Sequence, residues 1–232
     1  MDGPVVVVTG GGRGIGRAIC VRFAADDAQV IAVSRSSDEL KTTRGVIESS
    51  GGRCESYSAD VCDVAQVDTL FESVAERFGR VDVLVNCAGA AWVGSMEELG
   101  AEEFDLLLGV NVRAVYHTCR AVWRVMRPLG RGVIINISSV ASVDPFPGLG
   151  AYGAAKAWVN TWTKALADEG RSCGIAVFAV APGAVDTAML RGAFPDFPAD
   201  QALEADEVAN VVYALSRPDC RCATGQTVFV KR

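Results

Sequence analysis

Short apolar runs alternate with longer amphipathic stretches along the chain. Continuous runs rich in β-branched residues, bounded by glycine or polar residues, are typical of strands buried on both faces of a sheet. Such runs predict seven strands, over residues 5–9, 29–33, 53–59, 82–85, 132–137, 175–181 and 226–230. Six of these strands therefore follow a segment long enough to cross over the sheet.

The stretches between the strands carry apolar residues at helical spacing. They predict a helix that ends near Ala25 and helices over residues 38–50, 64–78, 102–127, 152–171 and 204–215. The apolar segment 189–198 contains prolines, and we predict a loop over the functional site there. Alternating strands and helices indicate right-handed crossovers and a parallel sheet. The expected fold is α/β, a single-domain Rossmann-type doubly wound parallel seven-stranded sheet with helices on both faces, over residues 1–232.

Composition narrows the class of protein. Half of the 232 residues are hydrophobic and the net charge is −6, which argues against a nucleic-acid binder because phosphate contacts need a basic surface. No apolar run is long enough to cross a membrane. The first residues lack the basic segment of a signal peptide and lead directly into a strand. We therefore expect a cytoplasmic protein that binds neither nucleic acid nor membrane.

The eight cysteines show no spacing typical of a disulfide framework. Most fall on apolar faces, where a free cysteine behaves as a small buried hydrophobe. Cys220 and Cys222 form the one candidate metal or redox pair. The only histidine is His117, which we interpret as a packed or surface residue, and no second cysteine pair exists. We predict structural thiols and no metal.

A glycine-rich turn follows the first predicted strand and precedes the first helix. Glycines allow a pyrophosphate to approach the backbone, and a helix N-terminus offers free N–H groups and a positive dipole end. The turn and its flanks supply the candidates Gly10, Gly12, Arg13, Gly14, Ile15 and Gly16. The alternative is a flexible turn without a ligand, but strand and helix lie where a dinucleotide site needs them.

The end of the second strand favours a phosphorylated cofactor. Ser34 stands where an NAD-binding site places a carboxylate on the ribose 2′-hydroxyl, and Arg35 follows it. A guanidinium pairs well with a 2′-phosphate, and Arg13 in the glycine turn can approach the same region. We therefore predict NADP(H) rather than NAD(H), with a solvated Arg35 as the alternative.

Tyr152 and Lys156 stand four residues apart in a predicted helix, so they share one face. At a few ångströms and an effective dielectric of about 20, an ammonium would stabilise a phenolate by about 3–4 kcal/mol. The pair therefore predicts a phenol whose pKa is lowered toward neutrality, suited to general acid/base catalysis. Ser139, after the fifth strand, can reach the same site. Tyr-x-x-x-Lys alone is a common pair of surface residues.

Two further helical features have more than one interpretation. Asn111 is a poor helix-interior residue and is either tolerated or a polar anchor that faces a site. The arginines at positions 120, 124 and 127 lie on one helical face. This stripe is typical of a solvated or interface surface, with docking of an acidic partner such as acyl carrier protein as the alternative.

Together these motifs resemble the short-chain dehydrogenase/reductase family over nearly the whole chain. The resemblance rests on motifs that occur in this order: Thr9-Gly10-x3-Gly14-x-Gly16, Asp60-Val61, Asn86-Cys87-Ala88-Gly89, Asn111, Ser139, Tyr152-x3-Lys156 and Pro182-Gly183-x3-Thr187. The family implies reversible hydride transfer between a nicotinamide and a carbonyl/alcohol pair. The pattern is most similar to the 3-oxoacyl-ACP reductase and small-carbonyl reductase branches.

The resemblance also implies a role for each matched residue. Tyr152 would protonate the forming alkoxide, Ser139 would bind the carbonyl oxygen, and Lys156 would hold the nicotinamide ribose and lower the phenol pKa. Asn111 would hold a water that leads to solvent. Cofactor contacts would come from Asp60, Val61, Asn86, Ala88, Gly89, Pro182, Gly183, Val185 and Thr187.

Two positions depart from the family pattern. Cys87 replaces the second asparagine of the usual Asn-Asn-Ala-Gly turn, which we expect to be tolerated. The chain ends at Val230-Lys231-Arg232, where relatives commonly continue into Asp-Gly-Gly and pair subunits through the last strand. A homo-oligomer, dimer or tetramer, is still expected, with altered tetramer contacts.

We therefore expect an NADP(H)-dependent reductase of a carbonyl compound: a ketone, diketone, sugar or 3-oxoacyl thioester. The predicted substrate pocket is apolar and favours an uncharged group; its candidates are Trp92, Val140, Pro145, Phe146, Leu149, Met189, Phe194 and Phe197. The alternatives are an NAD-linked alcohol dehydrogenase and a non-catalytic NADP(H)-binding sensor or scaffold.

Overall fold

The apolar runs form one parallel sheet of seven strands in the order β3-β2-β1-β4-β5-β6-β7. The computed structural model describes residues 3–232, so Met1 and Asp2 of the predicted domain lie outside the described residues. The strands are β1 (Val5–Thr9), β2 (Gln29–Ser34), β3 (Arg53–Ser58), β4 (Val83–Asn86), β5 (Gly132–Ile137), β6 (Ile175–Pro182) and β7 (Thr227–Val230). Each coincides with a predicted run to within one residue at either end, and the predicted fold class is confirmed.

Helices cover both faces of the sheet. They are α1 (Gly14–Ala24), α2 (Ser37–Ser49), α3 (Val64–Phe78), α4 (Ala101–Leu108), α5 (Ala114–Leu129), α6 (Gly150–Gly170), α7 (Ala188–Ala193) and α8 (Ala205–Leu215). None of the helices within residues 3–232 is long and apolar enough to span a membrane.

Two cores lie on opposite sides of the sheet because successive residues of a strand face opposite ways. In β1, Val6 and Val8 pack into the core under α1, α2 and α8, while Val5 and Val7 pack into the core under α3, α5 and α6. All four valines are at most 2% exposed. A strand buried on both faces needs a continuous apolar run, and this is why the sequence pattern identified β1.

The strand order reverses between β1 and β4. From β1 the chain moves outward to β2 and β3, then returns to β4 on the other side, where Thr9 lies opposite Asn86. Chain segments that leave the carboxyl ends of these two strands diverge and open a crevice between them. The fold therefore places a ligand crevice beside Thr9.

The predicted helix over 102–127 is divided by a π-helical turn at Gly109–Arg113, between α4 and α5. Asn111 lies in this turn and is fully buried. Its side-chain amide donates to the carbonyls of Leu107 and Ala90, at 3.1 and 2.8 Å. Such turns interrupt helices most often at functional sites. The uninterrupted helix was therefore a wrong prediction.

The second difference lies in the predicted loop 189–198. Its first part is helical, as α7, because the Thr187 hydroxyl caps that helix by accepting from the amide of Leu190. The remaining residues form turns across the carboxyl ends of the strands. The segment still lies over the site, as expected.

Candidate active site

One cavity of about 800 Å³ opens at the carboxyl ends of the strands. It contains most of the residues predicted to act together, although they are far apart in sequence. The predicted site residues that line it are Gly10, Arg13, Gly14, Ile15, Gly16, Ser34, Arg35, Asp60, Val61, Ala88, Gly89, Ser139, Tyr152, Lys156, Pro182, Gly183, Val185 and Thr187. The topology thus brings the glycine turn and the Ser-Tyr-Lys set to one place.

Several predicted residues lie outside the lining of this cavity. Gly12, Asn86 and Asn111 are buried behind it. In the predicted substrate pocket, Val140, Phe146, Leu149, Met189, Phe194 and Phe197 do line the cavity. Trp92 and Pro145 do not line it, so their prediction was wrong; their chain neighbours Val93 and Phe146 line the cavity.

The glycine turn is packed too closely for side chains. A Cβ at Gly10 would lie 2.9 Å from the backbone of Ala88, and Gly10 has a φ of +69°. A Cβ at Gly16 would overlap the Gly10 carbonyl, so α1 packs directly on the turn. These glycines therefore bring the N-terminus of α1 against the end of β1.

The N-terminus of α1 has no side-chain cap. Arg13 occupies the N-cap position without a capping hydrogen bond, and the first turn carries no acidic residue. The first amides of a helix have no partner inside the helix and attract anions. Ile15 and Gly16, in that first turn, line the cavity.

A hydroxyl at the end of β1 positions the neighbouring turn. Thr9 Oγ1 accepts hydrogen bonds from the amides of Cys87 and Ala88, at 3.1 and 3.2 Å. This contact ties the turn after β4 to the turn after β1. Thr9 belongs to a sequence motif, but its contacts are not predictable from the motif because its partners lie 78 residues or more away.

Asn86 is a buried structural residue rather than part of the cavity lining. Its amide donates to Asn136 Oδ1 at 2.9 Å, and its own oxygen accepts from Thr118 Oγ1 at 2.7 Å. Asn136 in turn donates to Thr163 Oγ1 at 2.9 Å. This chain of four side chains links β4 and β5 to α5 and α6 beneath the cavity, and its members satisfy one another's polar groups.

Ser139, Tyr152 and Lys156 form what we term the tyrosine end of the cavity. Ser139 follows β5, and its Oγ accepts from the amide of Ala141 at 3.2 Å. Its hydroxyl lies close enough to the Tyr152 phenol to lower the phenol pKa. Tyr152 and Lys156 share the inward face of α6, with the ammonium 5.8 Å from the centre of the phenol ring. The expected proximity of the three side chains is therefore present.

The direction of the phenol pKa differs from the expectation. Burial raises the pKa of Tyr152 above its ordinary value, and the neighbouring Ser139 hydroxyl offsets this only in part. Burial also lowers the pKa of Lys156 to about 8. The predicted lowering of the phenol pKa by Lys156 was wrong, because desolvation penalises the charged form of each group and dominates both shifts.

The Lys156 ammonium donates to the Ile137 carbonyl at 2.9 Å. Gly89 leaves the space beside it open: a Cβ there would lie 3.5 Å from Lys156 Nζ and 3.2 Å from Asn111 Oδ1. Two polar groups from different helices thus meet over Gly89. Asn111 was predicted to hold a water near Lys156. The structure places Asn111 near Lys156, but behind the cavity wall.

Arg13, Ser34, Arg35 and Glu39 form the other end of the cavity, which we term the arginine end. Arg35 is exposed, while Arg13 Nη1 lies 3.5 Å from Glu39 Oε1. Ser34 Oγ accepts from the amide of Ser36, which caps α2. Glu39 was not predicted to belong to the site, because no spacing signal connects a residue in α2 with the glycine turn.

Asp60 and Thr187 were predicted to contact a cofactor, and both line the cavity. Asp60 Oδ1 accepts from the amide of Cys62 at 2.9 Å. The Thr187 hydroxyl donates to the Val185 carbonyl at 3.2 Å while it caps α7. One oxygen of Asp60 therefore has no protein partner among the described residues, whereas the Thr187 hydroxyl is already engaged.

The wall above the tyrosine end is apolar. Met189, Leu190, Phe194 and Phe197 of the α7 segment line it. Arg191 holds that segment: it donates to Asp186 Oδ1 at 2.8 Å and to the Phe197 carbonyl at 2.6 Å. Within residues 3–232, the charged lining residues other than Lys156 are Arg13, Arg35, Glu39 and Asp60.

The remaining candidates lie away from the cavity. The arginines at positions 120, 124 and 127 are exposed, and Arg124 pairs with Asp68 at 3.6 Å. His117 packs edge-on against Tyr116. Across residues 3–232, no cluster of three or more histidine, cysteine or acidic side chains is arranged to hold a metal.

Comparison with known families agrees with this architecture and with the resemblance in the motifs. The family model described as short chain dehydrogenase matches residues 4–197. The chain belongs to the short-chain dehydrogenase/reductase family, and it is accordingly an oxidoreductase of a family that binds nicotinamide cofactors. The predicted family is thereby confirmed.

Relatives cover nearly the full length of the chain. The short-chain reductase protein NovJ of Streptomyces niveus is 36% identical over 97% of this chain and 92% of its own length. A single-residue variant of the actinorhodin polyketide ketoreductase with NADPH superposes with a TM-score of 0.94 at 31% identity, covering 99% of this chain and 96% of that one. The 3-ketoacyl-(acyl-carrier-protein) reductase from Brucella melitensis, complexed with NADH, gives 0.91 at 32% identity, with 99% and 97% covered.

Proposed function

We propose that the protein is an NADP(H)-dependent reductase of an uncharged carbonyl compound, with Tyr152 as the proton donor. The observation that carries the proposal is a single cavity that joins two features. One is the uncapped N-terminus of α1 beside Arg13, and the other is the group of Ser139, Tyr152 and Lys156 at the tyrosine end.

The residues at one side of the cavity fit a dinucleotide phosphate. The close packing at Gly10 and Gly16 and the free amides of α1 form a cradle for a pyrophosphate. Arg13 and Arg35 supply cations for a 2′-phosphate, and the free oxygen of Asp60 suits an adenine amine. When bound, the nicotinamide supplies the hydride that reduces the carbonyl carbon.

Tyr152 would deliver the proton to the carbonyl oxygen. Its raised pKa keeps the phenol protonated at neutral pH, and a protonated phenol is the form that reduction requires. Ser139 would donate a second hydrogen bond to the same oxygen. Two donors placed in advance stabilise the negative charge that develops there without rearranging.

Lys156 would position the cofactor ribose and supply the next proton. With a pKa near 8, its ammonium is poised to release a proton close to neutral pH. Asn111 Oδ1, across Gly89, provides an acceptor for a water beside that ammonium. The two residues therefore suit a route by which the phenol recovers its proton from solvent.

The substrate class follows from the lining above the tyrosine end. That wall is apolar, and no cation other than Lys156 lines that end of the cavity within the described residues. A substrate carboxylate or phosphate would lose its hydration without gaining a partner. Ketones, diketones and acyl thioesters with apolar bodies therefore fit better than charged sugars or keto acids.

A substrate screen tests this proposal. Purified protein with NADPH is given apolar ketones, diketones, quinones and 3-oxoacyl thioesters, and loss of reduced cofactor is followed by absorbance. We expect turnover with at least one apolar carbonyl and none with matched keto acids. Binding of NADPH without turnover on any member would instead favour the non-catalytic sensor.

The predicted homo-oligomer is part of the proposal. Tyr116 and the stacked pair Trp158 and Trp162 form an aromatic group on the outer face of α5 and α6. Tyr116 is 40% exposed, so part of this group faces solvent and is available to a second copy of the chain. Sedimentation velocity should give the mass of a dimer or tetramer; a monomer at micromolar concentration would contradict this part.

A further inference from the structure

We propose that Glu39 is a specificity residue that limits the preference of this site for a 2′-phosphorylated nicotinamide cofactor over the unphosphorylated one. The inference rests on the proposed function, because it concerns how strongly the arginine end favours NADP(H). Glu39 would act by occupying the guanidinium of Arg13 and by placing a negative charge beside the phosphate position.

Packing fixes the Glu39 side chain in this place. A Cβ at Gly12 would lie 2.9 Å from Glu39 Cβ and 3.2 Å from its Oε2, so the carboxylate lies directly on the glycine turn. The residue stands in the first turn of α2, where its amide donates to the capping Ser36 hydroxyl at 3.3 Å. The Glu39 side chain is 35% exposed, about half as much as the Arg13 side chain at 65%.

The charges at the arginine end therefore partly cancel. Arg13 pairs with Glu39, which leaves Arg35 as a cation with no salt bridge among the residues that the structure describes. Arg17 is also near, but its guanidinium donates to the Gly12 carbonyl and the Thr43 hydroxyl and is not free. A 2′-phosphate thus meets one free guanidinium, one shared guanidinium and a carboxylate.

The two cofactors respond differently to this arrangement. A phosphate carries close to two negative charges, so it is repelled by Glu39 and must compete with it for Arg13. A ribose 2′-hydroxyl is neutral and can donate to a carboxylate. Removing the Glu39 charge should therefore strengthen NADP(H) binding and leave NAD(H) binding equal or weaker.

Glu39→Gln removes the charge and keeps the shape, and Glu48→Gln is its matched control. Glu48 is also in α2 and pairs with Arg44 at 2.6 Å, but it does not line the cavity. Calorimetric titration gives the affinity of each protein for NADP⁺ and NAD⁺ without any need for turnover. We expect Glu39→Gln to raise the NADP⁺/NAD⁺ affinity ratio about tenfold at low salt, and Glu48→Gln to leave it unchanged.

A second variant, Glu39→Ala, guards against a folding defect and should shift the ratio in the same direction. An unchanged ratio in both variants would overturn the inference. A fall in NADP⁺ affinity would also overturn it, because it would show that Glu39 orients Arg13 toward the 2′-phosphate. The wild-type titration tests the proposed function separately. Tighter binding of NAD⁺ by the wild type would reject NADP(H) dependence, whereas the Glu39 inference depends only on the change in ratio.

Discussion

The two ends of the cavity differ in how far their charged side chains are buried. At the tyrosine end, Lys156 is buried and no carboxylate lines the wall within the described residues, so burial is the largest cause of the pKa shifts of the phenol and the ammonium. At the arginine end, Arg13, Arg35 and Glu39 keep much of their contact with water. Charges in a dry site interact strongly because little water or salt screens them, while exposed charges are screened within about a Debye length.

This difference in burial suits the two ends to different tasks: proton transfer at the tyrosine end and the choice of cofactor at the arginine end. In the proposed function, the buried end would hold a proton on the Tyr152 phenol and direct it to a carbonyl oxygen, which demands a fixed geometry. The exposed end can only bias the choice between two cofactors by modest factors, because water weakens every pair there. Substitutions at the two ends should therefore differ in both size and kind.

The largest effect is expected from Tyr152→Phe at the tyrosine end. Removing the proton donor should lower the rate of carbonyl reduction by about 10²–10⁴-fold, since proton transfer contributes this much. Cofactor affinity should stay close to that of the wild type. Steady-state kinetics with saturating NADPH and a calorimetric titration measure the two quantities, and Tyr57→Phe, outside the cavity, is the control. A rate within a few-fold of the wild type would remove Tyr152 from the mechanism.

The burial of Lys156 predicts a pH-dependent stability. Its pKa is about 8 in the folded chain and 10.5 ordinarily, so folding carries a penalty below pH 8 that disappears as the pH rises toward 10.5. Lys156→Met removes that penalty. The free energy of unfolding of the variant minus that of the wild type should therefore fall by up to about 3 kcal/mol as the pH rises from about 7 to about 10. Urea unfolding at several pH values measures the difference.

Lys164→Met is the matched control for that experiment. Lys164 is exposed on the same helix, α6. Its substitution should change the free energy of unfolding by the same small amount at every pH. A pH-independent difference between Lys156→Met and the wild type would show that the Lys156 ammonium is not desolvated in the folded protein.

A smaller effect is expected beneath the tyrosine end. Asn136→Leu would leave Asn86 and Thr163 without their buried partner, which should lower the free energy of unfolding by about 2–3 kcal/mol. Asn210→Leu is the control, since Asn210 is exposed on α8. Equal unfolding midpoints for the two variants would mean that the buried chain of side chains adds nothing to stability.

The smallest effect is expected at the arginine end. Arg35→Asp replaces the exposed cation with a charge that repels a 2′-phosphate, and NADP⁺ affinity should fall by about tenfold while NAD⁺ affinity is retained or improved. The loss should shrink as salt is added, because the site is open to water. Equal affinities of wild type and variant for NADP⁺ would assign cofactor choice to other residues.

Sequence patterns predicted the strands because their signal is local. A strand buried on both faces must be apolar throughout, as in β1, and this requirement is visible in five consecutive residues. The glycine turn and the Tyr152–Lys156 pair were also visible, because short spacing brings their members together. The Rossmann-type fold and most of the cavity lining followed from these features.

The features that were missed depend on tertiary structure. The π-helical turn around Asn111 adds a residue within an otherwise helical pattern, which a periodicity of 3.6 does not reveal. The contact of Glu39 with the glycine turn joins residues 26 apart. The direction of the Tyr152 pKa depends on how much protein surrounds the phenol, and spacing along a helix contains no measure of that burial.

The start of α7 has a local sequence signal. Thr187 precedes α7 and caps it through its hydroxyl, as threonine commonly does at a helix start. The prolines further along 189–198 favoured a loop instead. Both features occur in the segment, the helix first and the turns after it.

The position of the substrate oxygen tests the central claim most directly. A crystal structure with oxidised cofactor and the alcohol product of an active ketone would place that oxygen relative to the tyrosine end. We predict that it lies about 2.6–3.2 Å from both the Tyr152 and Ser139 hydroxyls. A product oxygen held by other groups, with the Tyr152 phenol out of reach, would contradict the account.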